Sequence, residues 1–484
     1  MLVCALAPAV VALSSDVDFS NGSDVAIEQT LLKATDWFLT EQEITDSRGG
    51  VPRNDLSVYT TGNAVKAFTI TKEYFDAVYD DLSAAGEGDR ILLAAWDSKL
   101  VQLKPDVDIT GHTSGYHKVF SGVVERGGEV SILAWANLLR RGHNIEARDA
   151  VNSLPASSVN GARATFIFDD RGHDDHPIAY VGGLDLTNDR WDTIYHNNSA
   201  LRDAAGIMFR HKGWVDGEFR IHGSAAKGVA NSFLARWNSD YKPCQGLADD
   251  LLDFENPEFK QLLRWTTSVV ILHRSSVLKT YRSFELSVVS TNTEFAPSGG
   301  NSLFHARIKA IKNARNYIYI EDQYFILVPE LFEALMEKQY PNKYPNKFKV
   351  YTTKLDRDIY IHSKIVIIDD VYPSVGSANW NRRSMTSDSE LNANVVDDDR
   401  IESPDGITVN KLARDFRIHK FHEMTGVSYD KLDAMTFLNA AHEYDVAAAD
   451  NLSLLQTLEA EYHLYYVSFT DLVRQQADPQ DTCT

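Results

Sequence analysis

An α/β fold built from two similar lobes is what this sequence predicts, on three observations. Short apolar, β-branched runs alternate along the chain with stretches of helical periodicity. One order of strand, helix, strand, turn and helix is passed through twice, on either side of a stretch holding Pro243, Gly246, several aspartates and Pro257. The length of 484 residues suits two domains or one two-lobed unit.

Taken in order, Met1 to Ser15 is apolar, ends in small residues and reads as the hydrophobic part of a secretory leader, with a buried N-terminal strand as the alternative. Ser23 to Ile44 carries apolar residues at helical spacing (Val25, Ile27, Leu31, Leu32, Trp37, Phe38) and reads as an amphipathic helix. Arg90 to Trp96 reads as a buried strand, Val130 to Arg141 as a helix with one apolar face, and Thr165 to Asp170 as a strand. Ala179 to Thr187 reads as a strand running into a turn, and Phe219 to Trp237 as a strand followed by a helix. In the second pass Ala306 to Arg315 is a helix, Tyr317 to Phe325 a strand, Leu331 to Lys338 a helix and Leu412 to Thr425 a closing helix. The tandem at Tyr340 to Lys347 reads as a surface loop.

Chemistry concentrates between Ile361 and Asn394. His362, Lys364 and Asp369 form H-x-K-x4-D, the turn Gly376-Ser377-Ala378-Asn379 follows, and Glu390 comes later. Ile365 to Ile368 is a run of four β-branched apolar residues, which fits a strand buried on both faces. Alternation along a strand sends His362 and Lys364 to one side. An ammonium beside an imidazole suits a phosphoryl group: the cation neutralises non-bridging oxygens while the imidazole attacks phosphorus or moves a proton. Ser377 and Asn379 would add donors to the same oxygens. Asp369, at the strand end, reads as structural in this argument.

This run resembles the HKD signature of the phospholipase D superfamily, and the resemblance extends by eye over residues 90–426. Gly182-Gly183-Leu184-Asp185 holds the place in the first repeat that the Gly-Ser turn holds in the second. YIYIEDQYF resembles the strand opening the second repeat, and FRIHGSAAKGVANSFLARWN and ARDFRIHKFHEMTG resemble the segments closing the two repeats. The resemblance implies two α/β lobes of mixed sheets flanked by helices, related by a pseudo-twofold, with the active site in the cleft between them. It implies a phospholipase D-type phosphodiesterase that turns phosphatidylcholine into phosphatidic acid and choline through a phosphohistidine, with catalytic His362, Lys364 and Asp369 and with neither metal nor cofactor. It also implies that each catalytic histidine is held by a carboxylate of the opposite lobe. Asp192 or Asp185 would serve His362, and Glu390 would face a first-lobe histidine.

The chain departs from the family at that first-lobe motif, because His362-Ser363-Lys364 is the only H-x-K in the sequence. Counting back from Asp169 puts Ala162 and Ala164 at the histidine and lysine positions, so the ARATFIFD strand would be an HKD strand with both reactive side chains replaced. In the other register the HKD strand is lost between Arg171 and Ala179. His173 and His176 read as loop histidines, and Trp191, Trp214 and Tyr195 as rings that could line a choline-sized pocket or pack in the core. Activity is therefore expected to be reduced, with a catalytically inactive binder of phospholipid or another phosphate ligand as the alternative.

The expected organisation is a leader at 1–15, a first lobe at 16–240, a linker at 241–263, a second lobe at 264–430 and a helical extension at 431–484. A net charge of −20 disfavours nucleic acid and anionic bilayers, while a zwitterionic lipid surface would not be repelled. Three cysteines leave at most one disulfide after leader removal, and no zinc spacing, P-loop or dinucleotide glycine run is present. Asn21, Asn197 and Asn451 each begin an N-x-S sequon. A secreted monomer acting at a phospholipid surface is the expectation, with an active homodimer as its rival.

Overall fold

A computed structural model describes residues 9–13, 27–52, 58–135, 141–169, 180–207, 212–238, 284–291, 300–325, 328–339, 348–381, 384–385 and 390–458. The strands of the N-terminal half are β1 (Ala9–Leu13), β2 (Thr60–Phe68), β3 (Arg90–Ala95), β4 (Glu129–Trp135), β5 (Ala164–Asp169), β6 (Tyr180–Gly182), β7 (Gly213–Val215) and β8 (Glu218–His222). Those of the C-terminal half are β9 (Phe284–Thr291), β10 (Ile318–Asp322), β11 (Phe348–Thr353), β12 (Ile359–Ile361), β13 (Lys364–Ile368), β14 (Tyr372–Gly376), β15 (Glu390–Asp397), β16 (Arg400–Glu402), β17 (Thr408–Asn410) and β18 (Leu455–Thr457). Mixed sheets flanked by helices bear out the α/β class.

An 11-stranded sheet runs β18-β11-β1-β10-β13-β14-β15-β9-β2-β8-β6 and joins the two halves at the β9–β2 seam. Its second-lobe part is two-faced, as the apolar run at 365–368 requires. Ile365 and Ile367 enter a core with the helices 411–425 and 437–449, whereas Val366 and Ile368 enter one with the helices 302–313 and 329–339. All five residues of β13 are buried between antiparallel β10 and β14. The helix 411–425 stops where Gly426 takes φ 75°, a left-handed cap that glycine adopts without a Cβ clash. Phe437, Ala440, Tyr444 and Leu455 sit in a core that takes in residues of both lobes, and β18 pairs with β11, so the residues around 437–457 join the second lobe through its sheet.

Two elements differ from the sequence reading. Glu129–Trp135 is the central strand of the parallel sheet β3-β4-β5, and the helix described after it is Arg141–Asn152. A strand covered on both faces loses its alternation, and its unbroken apolar run mimics a helix face. The long helix expected over Ser23–Ile44 is instead two short ones, Ala34–Trp37 and Glu41–Asp46. Thr40 starts the second with a capping box: its hydroxyl accepts from the Glu43 amide, and Glu43 accepts from the Thr40 amide.

The replacement register for the first HKD motif also fails against the topology. In the second lobe the HKD strand β13 lies beside β14, which ends at Gly376. The matching first-lobe strand is β6, which ends at Gly182 and pairs with β8 as β14 pairs with β15. Ala164 and Asp169 belong to β5, which lies in the other sheet, parallel to β4 and across it from β3. Ala162 and Ala164 are buried there and do not stand where an HKD strand would present its side chains. His173 and His176 lie outside the described residues, as do the linker, the Tyr340–Lys347 tandem and most of the apolar N-terminus. The part of that N-terminus within them, β1, forms a strand between β10 and β11, as the alternative reading has it.

Candidate active site

Two short strands from opposite lobes build the centre. β7 runs parallel to β12, with Trp214 opposite Tyr360 and Val215 opposite Ile361. The His362 amide then donates to the Val215 carbonyl at 2.8 Å, which extends the ladder by one rung. That register sets Asp216 against His362, and Nδ1 of the imidazole lies 2.8 Å from Oδ2 of the carboxylate. Oδ1 of Asp216 accepts from the Gly217 amide at 2.9 Å and Oδ2 also from the Trp214 indole at 3.3 Å. Glycine is required at 183, since a Cβ there would sit 2.6 Å from Oδ1 of Asp216.

Electrostatics fix the protonation states. Burial, and then the Lys364 ammonium, hold His362 down to about 4, against the pull of Asp216. Burial works against ionisation of Asp216, yet His362 and Lys364 hold its carboxyl below its ordinary value. At neutral pH the imidazole is therefore neutral and donates Nδ1–H to an ionised carboxylate, leaving the Nε2 lone pair for chemistry. Burial brings Lys364 down to about 8 against Asp216, Asp322 and Glu390, so it stays mostly charged at pH 7. Its Nζ donates to Gln323 Oε1 at 2.8 Å and to the His362 carbonyl. Burial also lifts Asp322 to about 7 and, with Asp216 beside it, Glu218 well above the carboxylate range.

The other expected residues sort into two groups. Asn379 is 9% exposed and its amide oxygen is buried with no hydrogen-bond partner among the described residues, which leaves an acceptor open to a donor group of a ligand. The hydroxyl of Ser377 is committed: it donates to Glu390 at 2.6 Å, and Ser384 donates to the other Glu390 oxygen at 2.6 Å. Asp369 lies at the far end of β13, where it accepts from the amides of Arg315, Asn316 and Tyr317 at 2.6–2.8 Å. That role is structural.

Neither acid expected to serve His362 does so. Asp185 accepts from the Trp96 amide at 3.0 Å and pairs with Arg190 at 3.1 Å. Asp192 holds His196 Nδ1 and the Trp214 amide, each at 2.8 Å, so it supports β7 from beneath. The expected choline rings are also dispersed. Trp191 is buried in the first-lobe core, Tyr195 is exposed, and Trp214 carries the Arg190 guanidinium 4.1 Å over its ring.

Behind Asp216 runs a buried ionic network across the lobes. Lys420 Nζ contacts Glu321 at 2.8 Å, Glu423 at 2.5 Å and the Asp216 carbonyl at 3.3 Å. Glu423 in turn lies 3.7 Å from His196 Nε2. Sequence reasoning missed Asp216, Gln323 and Lys420. One signal for Asp216 was present: an acid stands two residues before β8, in the repeat position where Glu390 opens β15.

A histidine–carboxylate pair closed across two α/β lobes, with a lysine and an amide beside it, defines a site for phosphoryl chemistry. A family profile described as Phospholipase D matches residues 85–347, and one described as Cardiolipin synthase, PLD-like domain matches 337–417. The chain belongs to the phospholipase D superfamily of phosphodiesterases. It is 24% identical to Phospholipase D alpha 2 of Oryza sativa over 82% of this chain and 65% of that protein, so it spans less than two thirds of the rice protein. It is 23% identical to a Cardiolipin synthase of Oceanobacillus iheyensis over 78% of this chain and 74% of that one. The crystal structure of phosphatidylserine synthase from Haemophilus influenzae aligns with 69% of this chain and 82% of its own, at 14% identity and a TM-score of 0.40.

Proposed function

We propose that the chain acts on the phosphodiester of a phospholipid head group, with His362 as the reacting base. The observation that carries this reading is the 2.8 Å contact between His362 and Asp216 across the lobes. Neutral Nε2 either attacks phosphorus, forming a P–N bond as the P–O bond to the head group breaks and the leaving alkoxide takes a proton from water, or takes a proton from a water whose oxygen attacks phosphorus and passes it to the head-group oxygen as that P–O bond breaks. Lys364 and Asn379 would carry the non-bridging oxygens. The relatives named above support a phospholipid substrate. Phosphatidylcholine hydrolysis to phosphatidic acid and choline is one case within it, although the three rings expected to hold choline do not converge. The acidic chain argues against nucleic acid.

A second reading, a phosphate binder without turnover, is favoured by one observation: no second H-x-K exists to protonate the leaving alcohol. Head-group release from mixed phosphatidylcholine and phosphatidylglycerol vesicles tests both, with wild type beside His362→Ala. Release that vanishes in the variant supports the enzyme. Wild type that binds tungstate but releases nothing supports the binder. Release that survives His362→Ala sinks both.

A further inference from the structure

Two turns at one end of the β7–β12 pair carry the most exposed apolar side chains among the described residues. Leu355, in the turn 354–358 between β11 and β12, is 91% exposed, and Leu452, in the loop 450–453 before β18, is 83% exposed. The turns are stitched together. The Lys354 amide donates to the Leu454 carbonyl at 2.8 Å, Lys354 Nζ to Ser453 Oγ at 3.1 Å, and Arg357 to the Leu452 carbonyl at 2.7 Å. Tyr195, 72% exposed, precedes His196, and a Cβ on Gly213 would lie 3.3 Å from the Cβ of His196 and 3.0 Å from Ile359 at the start of β12. Lys212 also donates its amide to the Asp358 carbonyl at 2.7 Å.

This edge leads to the reacting group. Side chains alternate along β12 and its extension, so Tyr360 and His362 share a face, and the four residues from Asp358, which ends the turn at φ 52°, to His362 span at most about 13 Å of backbone. Tyr360 lines the way, its ring 6.1 Å from His362 and 4.9 Å from Trp214, its hydroxyl held by Gln323 at 2.7 Å. Charges at the edge balance, with Lys212, Lys354 and Arg357 against Asp356, Asp358 and Asp450, although the chain carries −20 overall. Separate apolar tips on a neutral rim do not make the continuous face of about 1,200–2,000 Å² that a stable subunit contact buries. They suit a surface that side chains can penetrate.

We propose that the turns 354–358 and 450–453 form a membrane-facing rim, with Leu355 and Leu452 inserted among the head groups of a zwitterionic phospholipid bilayer. The cleft that ends at His362 then opens onto its substrate. The inference rests on the phospholipid reading above, and it supplies the membrane attachment that reading needs.

The test is co-sedimentation with phosphatidylcholine vesicles of the full chain, made without glycosylation because Asn451 begins a sequon. Partitioning should fall about tenfold or more in Leu355→Asp/Leu452→Asp, since each leucine loses its apolar burial. It should change little with salt. In Leu355→Trp the introduced indole should shift blue and be quenched by doxyl-labelled lipid. Equal partitioning of the double variant, or no quenching, overturns the proposal. So does a loss of self-association in the double variant, which would make the patch a contact between copies. Tungstate binding, measured alongside, separates the two readings. A chain that binds tungstate but no vesicle sinks the rim alone, and one that binds vesicles through the leucines but no tungstate sinks the phosphate site alone.

Discussion

Asp216 and His362 stand 146 positions apart in sequence and 2.8 Å apart in space, one on each side of the junction between the lobes. The carboxylate fixes the tautomer and hands Nε2 to the cleft. Asp216→Asn keeps the shape but replaces an acceptor with an amide that can turn a donor towards Nδ1, so the proton moves to Nε2 and the lone pair is lost. Turnover of a soluble aryl phosphodiester should drop about 10²–10⁴-fold with KM little changed. The His362 Nδ1–H resonance, read by NMR, should disappear with it. A variant with wild-type turnover and an intact resonance would show that Asp216 is only packing.

Ligand binding should follow Lys364 in pH. Its ammonium is fully present well below about 8 and is lost as pH rises through that value. Tungstate affinity should therefore weaken above pH 8, and Lys364→Met should be weak throughout and lack that alkaline limb. On the acid side, turnover should hold until His362 takes up its proton near about 4. An alkaline limb that persists in Lys364→Met would assign the titration elsewhere.

Asp369 separates fold from chemistry. Its carboxylate accepts three backbone amides at the start of β10, with Thr30 Oγ1 a fourth donor at 3.3 Å. Asp369→Ala strands those donors in a buried setting and should cost about 3–5 kcal/mol in urea unfolding. Tungstate affinity of the folded fraction should stay at the wild-type value. A loss of affinity without loss of stability would return Asp369 to the site.

Lys420 is fully buried between Glu321 and Glu423, so Lys420→Met leaves two carboxylates facing each other without a cation. The expected cost is about 3–5 kcal/mol at neutral pH. Burial already lifts the Glu423 carboxyl to about 7 with Lys420 beside it, and without the ammonium it rises further. The variant's deficit should then be smallest at low pH, where Glu423 is protonated folded and unfolded alike, and grow as pH rises towards the raised folded value. Urea midpoints at pH 5 and pH 8 measure this, and a pH-independent deficit would mean that packing, not charge, is at stake.

What could be read from sequence follows from which contacts are local. β13 announced itself because four apolar residues in a row need cover on both faces, and the structure provides a core on each. β4 is equally apolar, yet its Val130-Ser131-Ile132-Leu133-Ala134 run fits either period, and only its neighbours β3 and β5 make it a strand. Asp192, in the RWDT segment, and Asp185 were the sequence candidates for holding His362. The geometry gives that task to Asp216, whose position depends on parallel pairing between strands from different lobes. Ser377 and Glu390 are 13 positions apart and meet through a hydrogen bond at 2.6 Å. That the serine spends its proton on the glutamate is a side-chain detail no spacing encodes.

The first lobe offers the sharpest discrimination. If β5 were a stripped HKD strand, Ala162→His/Ala164→Lys would rebuild the missing pair. Both alanines are instead buried, Ala164 on a strand paired to β4 and remote in topology from β6. Forcing an imidazole and an ammonium into those positions should overpack the sheet and bury a charge without a partner. The double variant should therefore be destabilised by several kcal/mol and should release no more head group than wild type. A better design inserts a copy of Ile361–Val371 between Ile178 and Ala179, ahead of β6, where β13 precedes β14 in the second lobe. Turnover gained by the insertion and not by the double substitution would locate the lost strand next to β6. Turnover gained by the double substitution would contradict the topology argued for β5.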